Sequence, residues 1–130
     1  MILLDTHVVL WLAFAPEKIS KLAKAAIDEA RQSAEGLAIS DISLLELATL
    51  AKKRRIDLDI SLENFLVEVE SRFVVLPMGA RICAHATALP PKFPQDPADR
   101  IICATALVGG MPLVTADREI QRSRAVRIVW

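Results

Sequence analysis

Met1-Ile2-Leu3-Leu4-Asp5-Thr6-His7-Val8-Val9-Leu10-Trp11 opens the chain. Four apolar residues run straight into an acid. Such a run is too short for a helix face and suits a strand buried on both sides. Thr6 to Phe14 then reads as a helix, stopped by Pro16. The same alternation recurs along the chain. An amphipathic helix spans Ser20 to Ser33, and Leu37-Ala38-Ile39 is a second short strand. A helix follows from Ser40 to Arg55, another from Ser61 to about Glu70, and Phe73 to Leu76 is a third strand. Gly79 to Leu89 reads as a helix and Pro90 to Pro94 as a rigid loop. Asp96 at N-cap and Pro97 at N1 open a helix that ends at Gly109-Gly110. Leu113 to Thr115 is a fourth strand, Asp117 starts a short helix, and Val126 to Val129 is the last strand.

Short apolar strands alternating with helices define an α/β fold with a mainly parallel sheet of about five strands and helices on both faces. Residues 1–130 amount to one domain. Apolar residues make up 53% of the composition, enough for a core. Sixteen basic residues balance sixteen acidic ones, so a strongly basic nucleic-acid-binding domain is excluded, although a local patch is not. The cysteines, Cys83 and Cys103, have no metal-type spacing. With no secretory leader and no membrane span read, they point to a reducing cytoplasm.

In open parallel sheets ligands sit beyond the carboxyl ends of the strands, where strand order reverses. Asp5 follows strand one and Thr115-Ala116-Asp117 ends strand four. Asp96 and Asp99 open the helix that leads into strand four. Glu46 shares a helical face with Ile42 and Leu50 and is expected to point inward. Each acid also has a plainer role. Asp5, Asp96 and Asp117 suit helix caps, Asp99 suits the third position of a capping box, and Glu46 could reach solvent. Together they suggest one acidic site. Clustered carboxylates repel, and an all-oxygen set calls for Mg²⁺, with Mn²⁺ the alternative. A phosphodiester is the natural substrate for such a site. No Walker loop, dinucleotide fingerprint, nucleophile elbow or histidine pair competes.

Four stretches carry a further signal: Leu3 to Trp11, Ile42 to Leu47, Asp96 to Ile102, and Leu113 to Asp117. In this order and spacing they resemble the PIN domain family, and within it the VapC toxins of toxin–antitoxin pairs. The resemblance spans the whole chain. It implies a magnesium-dependent endoribonuclease acting on structured RNA such as transfer or ribosomal RNA. It places the family's acids on Asp5, Glu46, Asp99 and Asp117, as metal and catalytic residues. Thr115 matches a supporting hydroxyl and Asp96 a frequent extra acid. His7 stands where many members carry Asn. The implied mechanism is hydrolysis by a metal-activated water, leaving a 5′-phosphate and a 3′-hydroxyl. Asp5 and Asp99 would ligate the metal, while Glu46 and Asp117 would orient its waters. A homodimer and a VapB-like antitoxin are the implied partners.

Weaker signals surround this set. Lys52-Lys53-Arg54-Arg55 complements a helix end or contacts RNA. Arg100 and Arg118 meet substrate phosphates or pair with the acids. Trp11 and Phe14, three apart, pack in the core or form one partner surface. A receiver domain would need an acidic pair after strand one, and a haloacid-dehalogenase-type phosphatase an Asp-x-Asp; His7 and the single Asp5 fit neither. The remaining rival is a catalytically inactive PIN scaffold that binds RNA or protein.

Overall fold

The computed structural model describes residues 1–130. Five strands, β1 (Ile2–Leu4), β2 (Leu37–Ser40), β3 (Val74–Leu76), β4 (Leu113–Val114) and β5 (Ile128–Val129), form one sheet in the order β3-β2-β1-β4-β5. Every pairing is parallel. The chain builds outward from β1 through β2 to β3, then returns to β1's other side with β4 and β5. Strand order therefore reverses at β1 and β4, and the carboxyl ends of these two strands flank the crevice that such a reversal creates.

Seven helices connect the strands: α1 (Thr6–Phe14), α2 (Lys21–Gln32), α3 (Asp41–Lys52), α4 (Leu62–Arg72), α5 (Ala80–Thr87), α6 (Pro97–Gly109) and α7 (Arg118–Ser123). Successive strand residues point to opposite faces, and the two cores follow that alternation. Leu4, Leu37, Ile39 and Val114 pack with Val8 and Val9 of α1, Ile27 of α2, Leu47 of α3 and Phe65 of α4. Leu3, Ala38 and Leu113 face the other way, onto Ile102 and Cys103 of α6, Ile120 of α7 and Phe93. The sheet is thus apolar on both sides, which is why its strands read as unbroken apolar runs.

The element order matches the sequence reading, with differences at the ends. Pro16–Lys18 forms a short 3-10 turn that the sequence reading left unassigned. Helix α3 stops at Lys52, three residues early, because Arg54 adopts a left-handed conformation at φ 55°. The Arg55 N–H then reaches the Leu50 carbonyl and the Arg54 N–H that of Ala51, closing a Schellman cap. Gly110, at φ 63°, ends α6 in the same left-handed conformation without a side-chain penalty.

Candidate metal and catalytic site

The site is built from five chain positions at the carboxyl edge of the sheet. Asp5 directly follows β1 and caps α1. It is only 4% exposed, yet its carboxylate is well supplied with donors. Oδ1 accepts the Thr6 N–H at 2.8 Å, and Oδ2 accepts the Thr115 hydroxyl at 2.7 Å. Thr115, fully buried after β4, also accepts the Asp117 N–H through its Oγ1 at 3.0 Å. One hydroxyl therefore ties the ends of β1 and β4 together.

Glu46 lies one and a half turns into α3 and points inward. The Thr6 hydroxyl donates to its Oε1. The buried Ser43 hydroxyl sits 2.9 Å from that of Thr6. Thr6 has a single hydroxyl proton, so with it committed to Glu46, Ser43 is the donor in the second bond. Burial raises the Glu46 pKa, and the charges of Asp5 and Asp96 raise it further, against the lowering effect of the Thr6 bond.

Asp96 and Asp117 both perform the capping roles that the sequence suggested. Asp96 Oδ1 accepts from Ala98 N–H at 2.8 Å at the start of α6. Asp117 Oδ1 accepts from Glu119 and Ile120 N–H at 2.8 and 3.1 Å at the start of α7. In each case the second oxygen has no partner in the protein. Asp99 is different. Its side chain makes no hydrogen bond, so the capping-box role is not taken up. Burial, and then the negative charges of Asp5, Asp96, Asp117 and Glu46, push its pKa up to about 7. The other four acids thus all lie close enough to Asp99 for their charge to act on it. Cys103, one turn further along α6, is pushed up to about 12 by burial and by Asp5 and Asp99, and is inert as a nucleophile.

No lysine or arginine forms an ion pair with any of these acids; the nearest partner is the His7 Nδ1, 3.6 Å from Asp5 Oδ2. Such a concentration of negative charge has no protein counter-charge, and a bound cation would neutralise it. No three of the side chains enclose a common point directly. The donor set still suits Mg²⁺, an ion that prefers carboxylate oxygens and keeps several of its own waters.

A family model of the PIN domain matches residues 2–125, nearly the full chain. The chain belongs to the PIN domain family. Among its relatives, Ribonuclease VapC22 of Mycobacterium tuberculosis is 40% identical over 131 residues, covering 99% of this chain and 98% of the relative. Two solved structures share the fold. A chain of VapBC-1 from nontypeable Haemophilus influenzae superposes with a TM-score of 0.72 at 23% identity, covering 98% of this chain and 96% of that one. A chain of the DNA-bound VapBC from Salmonella typhimurium gives 0.71 at 24% identity, covering 98% and 97%.

In this PIN domain the structure brings Asp5, Glu46, Asp96, Asp99, Thr115 and Asp117 to one edge. The sequence reading missed Thr6 and Ser43, which steer Glu46. Ser43 was within reach, since it lies one turn before Glu46 on the same helical face. One expectation needs correction. Arg100 does not pair with the acids. Its guanidinium donates to the carbonyls of Ala86, Phe93 and Pro94 and lies 5.7 Å from the Phe93 ring centroid, pinning the proline-rich loop. Arg118 is exposed beside Asp117 and makes no ion pair. Trp11 meets His7 and Trp130, whereas Phe14 meets Phe65. The basic residues 52–55 are all exposed, but α3 runs away from the carboxyl edge and carries them to the far end of the domain.

Proposed function

We propose that this chain is a metal-dependent endoribonuclease toxin of the VapC type, silenced by a VapB-like antitoxin. The observation that carries the reading is the uncompensated group of carboxylates, Asp5, Glu46, Asp99 and Asp117, at the sheet's reversal point. The 40% identity to a named ribonuclease over nearly the full chain supports it. The similar folds of VapBC toxin–antitoxin chains support the antitoxin as partner. We further propose that residues 1–130 act as one domain, as a homodimer, in the cytoplasm; both cysteines are free thiols, in keeping with a reducing compartment. No helix is long and apolar enough to cross a membrane.

Mg²⁺, with Mn²⁺ the alternative, would neutralise the phosphodiester and make a water acidic enough to attack near neutral pH. Asp5 and Asp99 are the residues that would hold the ion. Asp5 is aimed by two hydrogen bonds, and Asp99 has both oxygens free. Glu46 has one oxygen anchored by Thr6 and one free, which places it to orient the attacking water and accept its proton. Asp117 has the same division, one oxygen in the cap of α7 and one open. The water oxygen bonds to phosphorus, the bond to the 3′ oxygen breaks, and that oxygen takes up a proton. The products are a 5′-phosphate and a 3′-hydroxyl, with transfer or ribosomal RNA the expected substrate class.

The test is incubation of partner-free protein with labelled total transfer RNA, with Mg²⁺ and with EDTA, beside Asp5→Asn. Discrete fragments with 5′-phosphates, lost with EDTA and in the variant, are expected. Cleavage that survives both overturns the mechanism. A folded, metal-binding protein that cuts neither transfer nor ribosomal RNA overturns the activity and leaves an RNA- or protein-binding scaffold.

A further inference from the structure

The chain has two tryptophans and no tyrosine. Both tryptophans meet beside the acid cluster, although they stand at opposite ends of the sequence. Trp130 follows β5 at the carboxyl edge of the sheet, and Trp11 lies on the α1 helix that Asp5 caps. Their ring centroids are 5.8 Å apart at an angle of 51°. His7 continues the row inward, 4.9 Å from Trp11 at 55°. The His7 Nε2 accepts the Ala116 N–H at 3.0 Å, which leaves its proton on Nδ1, the nitrogen that faces Asp5. The row is thus fastened to both loops that carry the acids. The Lys18 ammonium lies 5.8 Å from the Trp11 ring centroid.

Core packing accounts for only part of this arrangement. Trp130 packs on the core that includes Val8 and Val9 of α1, but Trp11 packs against neither apolar cluster, and all three rings are only partly buried. Tilted pairs at these separations are ordinary aromatic contacts, and their partial burial leaves part of each ring facing solvent. Open aromatic faces next to a cation are how proteins hold unpaired nucleotides, the base on the ring and the phosphate on the charge.

We propose that His7, Trp11 and Trp130 form a stacking platform for an unpaired nucleobase of the RNA, beside the phosphate addressed by the acids, with Lys18 on the adjoining backbone. The proposal rests on the ribonuclease reading above and deepens it. The enzyme then selects single-stranded positions such as loops, because a paired base has no face to offer.

The two tryptophans make the platform visible, since all indole emission comes from it. The full-length protein carrying Asp99→Asn, which leaves the His7 contacts in place, is titrated with a mixed-sequence single-stranded RNA and with an abasic strand of equal length. Binding is followed by anisotropy of the labelled strand and, in parallel, by tryptophan emission. Quenching that tracks RNA binding and is absent with the abasic strand is expected. Trp130→Leu, at the chain end, should weaken RNA binding about tenfold, Trp130→Phe should restore much of it, and abasic affinity should not move. Saturated RNA binding with unchanged emission overturns the platform alone, as does equal quenching by both strands. Emission that responds to a protein partner but not to bound RNA assigns the rings to that partner instead. RNA that is neither bound nor cut by the unsubstituted protein overturns the platform and the ribonuclease reading together.

Discussion

Asp5 and Asp99 face the same crevice from opposite supports. Asp5 is the more buried, yet the protein supplies it with two donors at 2.7 and 2.8 Å. Asp99 is half-buried and receives no donor; burial first, and then the charges of four other acids, push it up to about 7. A buried carboxylate is tolerable when hydrogen bonds meet its charge and costly when they do not. The first acid is therefore aimed by the protein. The second receives no donor from the protein to meet its charge.

This contrast predicts substitutions that agree in activity and disagree in stability. Asp5→Asn and Asp99→Asn should each cut RNA cleavage by about a thousandfold or more, on the scale of single catalytic groups in other hydrolases. Melting of the metal-free proteins near neutral pH should separate them. Asp99→Asn removes repulsion and should melt higher than the parent. Asp5→Asn puts an amide nitrogen among donors and should melt lower; shifts of the same sign would break the comparison. Thr115→Val removes the donor to Asp5 and the acceptor for Asp117. It should cost about 1–3 kcal/mol in urea melts and lower cleavage about 10–100-fold.

The pH dependence sharpens the same point. An unfolded aspartate loses its proton near 3.8, whereas folded Asp99 keeps its proton up to about 7. Between these values the folded state binds more protons, so stability of metal-free protein falls as pH rises and levels off above about 7. Glu46, also raised, adds to the same slope. Mg²⁺ should flatten the curve by stabilising the alkaline side. A metal-free curve that rises over this range would show that the acids do not share one field. The smallest effect lies far from the acids. Arg54→Gly relieves the left-handed residue at the end of α3 and should stabilise by about 1 kcal/mol or less, with cleavage unchanged.

The alternation of apolar runs and amphipathic stretches made nearly every element legible; the aspartates were legible because each followed a strand or opened a helix, and Glu46 because it lies on an inward helical face. Strand order was not, since nothing local in β1 specifies that β2 and β4 will be its neighbours. That order is what assembles Asp5, Thr115 and Asp117. Hydrogen-bond partners were legible only where they are local, as in the caps of Asp96 and Asp117. Thr6, Ser43 and the row from His7 to Trp130 depend on contacts between distant segments. Arg100 was misread for the same reason. Its neighbour in sequence is an acid, but its neighbours in space are the carbonyls of a loop that folds back over it.

The bond between Asp5 and Thr115 spans 110 positions of a 130-residue chain. Its consequence reaches back to the making of the protein. A growing chain exposes Asp5 early, but Thr115 leaves the ribosome 110 residues later, and β1 has no neighbour on that side until β4 does. The acid edge therefore cannot assemble before that segment has docked beside β1, and a chain holding only its first strands carries an Asp5 without the hydroxyl that aims it.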